Sequence, residues 1–290
     1  MSDEPLVDIL HYAAVLENLE ATFYAQGLAN FSETAFAAAG FDSTVYQNIQ
    51  SIAAHEGAHV QFLNSVLQTL AQPISQACTY NFGISTVEQF MATAAIFEGI
   101  GTSAYLGAAA QVANKAVLTA AGSILTVEAR HNAYLRSVLS ESPFPQSQDT
   151  PLTPDEVYTL AHGFIVSCPS SNPTFPVKVF PGLVVPPNGI VASGNTITLQ
   201  TGGYVLAPNN PSIRLYAAFV TAHGTAYADV IPTQTGMTFS VTVPDGVNGQ
   251  SYLLLTNSNT GVSDDTVIAG PALVEVSSSG CAARRSTDHC

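Results

Sequence analysis

IAAHEGAHVQFL (residues 52–63) and ILTVEARHNAYL (residues 124–135) each hold a Glu-x-x-His pair inside an apolar helical stretch, Glu56/His59 in the first and Glu128/His131 in the second. Residues i and i+3 lie one above the other on a helix face. Each helix therefore aims a carboxylate and an imidazole at one point. With seven histidines and eleven glutamates in 290 residues, random placement yields roughly 0.3 such pairs at average usage. Two pairs in the N-terminal half are a pattern, not an accident. Each is preceded by a lone helical glutamate: Glu17 or Glu20 before the first, Glu98 before the second. One glutamate from each of two helices plus a Glu-x-x-His from each of two others builds a two-metal centre inside a four-helix bundle.

A helical glutamate taken alone is usually solvated. This set is not, because Glu56 follows Ile52 and Ala53 and precedes Phe62 and Leu63, and Glu128 sits among Leu125, Val127 and Leu135. Carboxylates on such apolar faces are costly unless something compensates them, and metal ligation does. Helix A offers both Glu17 and Glu20. Glu98 has Tyr105 seven residues on, and Glu17 has Tyr24 at the same spacing, whereas Glu20 corresponds to Gly101. Two similar helix pairs make Glu17 the mate of Glu98, with Glu20 the alternative. Seven residues is about two turns, so Tyr24 and Tyr105 fall near their glutamates, as core aromatics or as hydrogen-bond donors to a ligand. His55 points about 100° away from Glu56 and reads as a surface or supporting group; His11, His162, His223 and His289 have no partner spacing. Four carboxylates and two imidazoles suit two iron or manganese ions, since oxygen-rich sites favour the harder first-row metals.

Composition narrows the partners. The chain has 290 residues, enough for two domains, with only 10% charged residues and a formal net charge of −14. Such a surface repels phosphates, which argues against nucleic acid. The most apolar stretch, 90–127, is broken by Glu98, Lys115 and glycines, so no transmembrane segment is expected. The acidic start, Met1-Ser2-Asp3-Glu4, is not a signal peptide. Few lysines, many Ser, Thr, Asn and Gly, and an Asn30-Phe31-Ser32 sequon lean towards an extracellular protein, with the cytoplasm as the alternative. Four cysteines, Cys78, Cys168, Cys281 and Cys290, allow three pairings; structural disulfides are expected, with Cys281–Cys290 closing a small tail loop.

The first half reads as helices: A from about Pro5 to Gly27, B from Ser43 to Ala71, C opening on a Ser85-Thr86-Val87-Glu88 capping box and fading at Gly107, and D from Asn114 to Leu139. Thr153-Pro154-Asp155-Glu156 begins a fifth helix, ending near Cys168-Pro169. Residues 72–85, extended at about 3.3 Å each, reach roughly 45 Å, just enough to run the length of helix B. From 175 to 276 short β-branched and aromatic runs take over: Val177–Phe180, Thr196–Gln200, Ile213–Thr221, Met237–Val243, Ser251–Thr256 and Ala272–Val276, between turns such as Pro187-Asn188-Gly189 and Pro244-Asp245-Gly246. The expected architecture is a helical bundle over 1–172, an antiparallel β-sandwich over 173–277, and a tail over 278–290. The β-region has dispersed acids, such as Asp264-Asp265, and no convergent catalytic set. It is expected to be an accessory module for packing, homo-oligomerisation, or a glycan or protein partner.

Glu17…Tyr24, Glu56-x-x-His59, Glu98 and Glu128-x-x-His131 together resemble the helical signature of ferritin-like two-metal proteins. More narrowly, ILHYAAVLENLEATFYAQGL (9–28), IAAHEGAHVQFL, FEGIGTSAYLGAA (97–109), ILTVEARHNAYL and FIVSCP (164–169) are similar to the fungal stress-response and plant desiccation-related branch. The likeness covers about residues 5–170. It implies a ferritin-like bundle, two iron or manganese ions, and a small oxidant, peroxide or O₂, as substrate, with catalase- or peroxidase-like protection as the leading activity. The alternatives are a non-enzymatic stress or surface protein with a structural metal, an iron-oxidising protein, and an O₂-using hydroxylase or desaturase, which requires a substrate channel.

Overall fold

The computed structural model describes residues 4–174, 176–186, 191–206, 214–233 and 236–277. It divides into two compact units, Met1–Leu139 with Ala161–Val177, and Ser140–Leu160 with Lys178–Cys290. The sequence reading placed one boundary at 172/173; in this division residues 140–160 group with the β-strands.

The first unit contains α1 (Glu4–Asn30), α2 (Glu33–Ala38), α3 (Ser43–Thr69), β1 (Thr79–Tyr80), α4 (Val87–Ala108) and α5 (Lys115–Val138). Side-chain oxygens cap the helices where the sequence supplies them. Asp42 accepts from Val45 N–H, and Asn114 from Ala116 and Val117 N–H. The cap of α4 is one residue later than the Ser85/Glu88 register. Thr86 accepts from Gln89 N–H, and Gln89 Oε1 reaches back one residue further to accept from Ser85 N–H, a variant of the capping box built on glutamine. The short α2, capped by Ser32 of the Asn30 sequon, was not anticipated; six residues are too few to carry a periodic signal.

Contacts fix the directions of the four long helices. Leu10 and Ala14 of α1 cluster with Leu63 and Leu67 of α3, while Glu17, higher on α1, meets His59, lower on α3: the two are antiparallel. Tyr24 reaches Glu98 and Tyr105 reaches Glu17, so α1 and α4 are antiparallel too. It follows that α3 and α4 run parallel, and the segment between them crosses the length of the bundle. That crossover is tied down twice. Its β1 pairs antiparallel with β2 (Ile165–Ser167), and Cys78 forms a disulfide with Cys168 across 90 residues.

The fifth helix, α6 (Pro154–His162), is shorter than expected, since Gly163 follows and 165–167 are strand instead. Its start is a reciprocal Thr153/Glu156 capping box at 2.8 and 3.3 Å. The second unit holds β3 (Leu183–Val184), β4 (Val191–Ala192), β5 (Thr196–Thr201), β6 (Tyr216–Thr221), β7 (Gly224–Pro232), β8 (Thr238–Thr242), β9 (Gly249–Thr256) and β10 (Val267–Ser277). They form one hydrogen-bonded series, β3-β5-β8-β7-β6-β9-β10-β4, antiparallel throughout except β10 with β4. β7 pairs with β6 through 224–229 and with β8 through 230–232. One strand therefore serves both layers, and the sheet curls until Gly270 N–H donates to Pro181 C=O at 2.9 Å. Leu199, Phe219, Phe239, Val241, Leu253 and Leu255 fill the space between. Val177–Phe180, read as a strand, is not one; Lys178 and Phe180 N–H are taken by Asp155 and Thr159 of α6. The Pro187 turn, Cys281, Cys290 and the tail lie outside the described residues.

Candidate metal centre

Each long helix contributes acids to one point. Glu17 of α1, Glu56 of α3, Glu98 of α4 and Glu128 of α5 are all 0% exposed, and His59 and His131 are buried beside them. His59 Nδ1 lies 3.2 Å from Glu17 Oε2, 3.2 Å from Glu56 Oε2 and 3.2 Å from Glu128 Oε1. His131 Nδ1 lies 3.1 Å from Glu56 Oε1 and 3.1 Å from Glu98 Oε2. The ligand atoms thus fall into two groups of four, Glu17/Glu56/His59/Glu128 and Glu56/Glu98/Glu128/His131, each within 4.8 Å internally. The groups share Glu56 and Glu128. Each then has one glutamate and one histidine of its own, and the two are related by exchange of the α1/α3 hairpin with the α4/α5 hairpin.

The tyrosines follow the same exchange. Tyr24 Oη donates to Glu98 Oε1 at 2.5 Å, and Tyr105 Oη donates to Glu17 Oε1. Each phenol comes from one hairpin and binds the unshared glutamate of the other. One oxygen of that glutamate is committed to the phenol, and the other faces its histidine.

Carboxylates packed this way need cations or protons. Burial raises Glu17, Glu20, Glu98 and Glu128 well above the usual carboxylate range, with the neighbouring acids pushing further. For Glu56 burial acts in the same direction but loses to its contacts with His131 and His59, which bring it down to about 2. Burial would lower His59; Glu128, Glu17 and Glu56 outweigh it and push it up to about 12. Glu56 Oε1 and both Glu128 oxygens are buried without a hydrogen-bond partner, although His131 Nδ1 is 3.1 Å from Glu56 Oε1. His59 Nδ1 is likewise 3.2 Å from Glu128 Oε1, but the hydrogen bonds of these nitrogens go from His131 to Glu98 and from His59 to Glu17 and to Glu56 Oε2. These orphaned oxygens belong to the two shared glutamates, where cations would complete them. The donor set fits harder divalent metal ions.

Glu20, the alternative on α1, is buried but belongs to neither group of four. It flanks Gly101: a Cβ built there would lie 2.8 Å from Glu128 Oε2 and 3.1 Å from Glu20 Oε1. Glycine at 101 is what gives both carboxylates room. His55 is exposed, yet its Nδ1 lies 3.0 Å from His131 Nε2 and the two rings stack at 5.2 Å. This partner fixes the ring whose other nitrogen faces the acids. Adjacency to Glu56 was the only sequence signal for it, and the 100° offset concealed that a neighbouring helix could meet it halfway.

Residues 6–141 match the ferritin-like domain family, so the helical unit is a ferritin-like domain, joined in this chain to a curled β-sheet unit. Over most of its length the chain is also similar to Protein rds1 of Schizosaccharomyces pombe (strain 972 / ATCC 24843), at 24% identity across 92% of this chain and 79% of that protein. Among solved structures, the surface layer protein SbsC, domains 1–6, gives a TM-score of only 0.20 at 9% identity. This chain, 91% of it aligned, spans about half (46%) of that structure, and the likeness carries no argument. Among the described residues no helix is long and apolar enough to cross a membrane.

Proposed function

We propose that the helical unit holds two iron or manganese ions and acts as an oxidoreductase on peroxide or dioxygen, with disproportionation or reduction of peroxide as its leading activity. The observation that supports this most is the sharing of Glu56 and Glu128 between two otherwise separate ligand groups. The six residues would hold the two ions, and the chemistry these would supply when bound is electron exchange with a small oxidant. Glu17 with His59 and Glu98 with His131 complete the two ends. Tyr24 and Tyr105 hold the unshared glutamates in place by donating to them and provide phenolic protons at the rim of the centre. Apolar packing around the acids keeps bulk water out. We assign the β-unit an accessory role, and the Cys78–Cys168 disulfide suits an oxidising, extracellular setting.

The test is metal analysis of full-length protein purified without added metal, followed by oxygen evolution and peroxide consumption. About two first-row ions per chain with peroxide turnover is the expected result. Two ions with no turnover of either oxidant would leave a structural metal site and remove the enzymatic reading. Absence of metal after loading with ferrous or manganous salt removes the centre itself.

A further inference from the structure

The two ends of the bundle are related by the exchange that relates the tyrosines, yet they are filled differently. At the Tyr24 end, aromatic rings occupy the interior. Phe23 stacks on Phe90 at 4.9 Å and meets Phe97 edge-on at 4.9 Å, and Phe90 lies 6.0 Å from the Tyr24 ring and 6.1 Å from Phe36. Gly27 marks how tight this packing is, since a Cβ there would fall 2.0 Å from the Phe90 ring. A cleft of about 190 Å³ at this end runs between α1 and the crossover, but Tyr24 is not in its wall.

At the Tyr105 end the bundle is hollow. A cavity of about 250 Å³, open on one side, is enclosed by α1, α3, α4 and α5, and the Tyr105 ring forms part of its wall. Seven of the lining residues are alanines, and Leu16, Leu63, Val66 and Ile124 are among the larger aliphatic ones. No charged side chain lines it among the described residues, and its only side-chain hydroxyls belong to Tyr12 and Tyr105. Phe62, 41% exposed, stands in the wall on α3. Protein interiors rarely leave such space unfilled. Large pockets with apolar walls and a few polar groups are the usual form of a small-molecule site. Tyr105, in this wall, also donates to Glu17 of the acid cluster.

We infer that this cavity is a binding site for an uncharged molecule carrying a hydrocarbon chain of about ten carbons, on the scale at which about 150 Å³ seats benzene. The absence of a lining cation favours a neutral ligand over a fatty acid. The inference concerns binding alone and stands whether or not the neighbouring acids hold metal. Tyr105 is the contact through which an occupant would be felt at the centre.

The experiment is calorimetric titration of the full-length protein, as purified, with straight-chain alcohols from hexanol to dodecanol and with decanoate. Affinity is expected to rise about fourfold per added methylene, to level off at about ten carbons, and to be weaker for decanoate than for decanol. Ala120→Leu and, independently, Ala13→Leu each add three carbons to the wall and are expected to move the plateau down to about seven carbons. Either folded variant suffices if the other does not fold, as judged by its melting curve. Failure of decanol to bind, a rise in affinity that continues through dodecanol, a plateau unmoved in a folded variant, or decanoate binding as tightly as decanol would each overturn the inference.

Discussion

Replacing Gly101 by alanine separates the stability of the bundle from the function of its centre. Gly101 lies inside α4, a helix of 22 residues. A glycine there costs about 0.8–1.0 kcal/mol of helix propensity relative to alanine. On propensity alone the substitution stabilises. The new Cβ, however, would sit 2.8 Å from Glu128 Oε2 and 3.1 Å from Glu20 Oε1. Ordinary contact requires Glu128 Oε2 to retreat by at least about 0.6 Å, and metal–ligand distances tolerate only about ±0.2 Å. The carboxylate tip is flexible, so the metal-free protein relieves the clash cheaply, while a shared ligand has no such freedom. The expected outcome is a metal-free melting temperature equal to or slightly above that of the parent, with metal affinity lowered about 10–100-fold, the loss typical when ligand-positioning contacts fail. That loss corresponds to roughly 1.4–2.7 kcal/mol. Differential scanning calorimetry of the stripped protein and competitive chelator titration of the loaded one measure the two quantities. Parental metal affinity in Gly101→Ala would refute the reasoning, as would a metal-free protein that unfolds several degrees lower.

Because Glu56 and Glu128 are shared and Glu98 is not, Glu56→Ala is expected to take metal stoichiometry from two to near zero and Glu98→Ala from two to one; the reverse order by elemental analysis would contradict the bridging assignment. Metal removal is expected to make stability fall as pH rises above about 4.5. Glu17, Glu20, Glu98 and Glu128 have raised values in the fold, so their contribution is complete below the unfolded carboxylate range and is lost as pH climbs through the folded values. Proton uptake by His59, raised to about 12, acts in the same direction above about 6.5, and a metal-free melting temperature that increases over that range would show the acids to be ionised. Cys78→Ser opens a 90-residue loop and is expected to cost about 2–5 kcal/mol by chemical denaturation of the helical unit; a change within error would mean that the β1/β2 pairing alone holds the crossover.

The bundle was legible because its message repeats. Two Glu-x-x-His pairs and two Glu…Tyr spacings of seven specify four helices and one meeting point, and the structure brings those side chains together. The choice between Glu17 and Glu20 followed from the same repetition, with Gly101 as the silent mate of Glu20. What that reading missed is where Glu20 goes: it stays buried, in space that Gly101 opens. The β-unit was less legible. β7 was not read as a strand because Gly224, Ala226, Ala228 and Asp229 are poor strand formers. Pairing of these residues with β6, continued by pairing of 230–232 with β8, overrides that propensity. Val177–Phe180 failed in the opposite way, since a β-branched run was captured by helix side chains before it could join a sheet.

The acids at the centre also define a charge balance. Glu17, Glu56, Glu98 and Glu128, when ionised, carry four negative charges, and two divalent ions carry four positive ones, so this set and its cations are neutral together in a site that water does not reach. Glu20 is the fifth buried acid and has no cation left to match it. Burial, followed by the charges of Glu128 and Glu17, raises it well above the usual range in the metal-free fold; in the proposed centre it is the acid expected to stay neutral beside Glu128 while both ions are divalent. Under the proposed function, oxidation of either ion would add positive charge that release of the Glu20 proton would offset, and this carboxyl would then be the local reserve for changes in metal charge. Glu20→Gln preserves the shape and removes the reserve. It is expected to keep two divalent ions with near-parental affinity while disfavouring the oxidised pair, raising the reduction potential measured by redox titration. An unchanged potential, or loss of the divalent ions themselves, would show that Glu20 serves the centre in some other way.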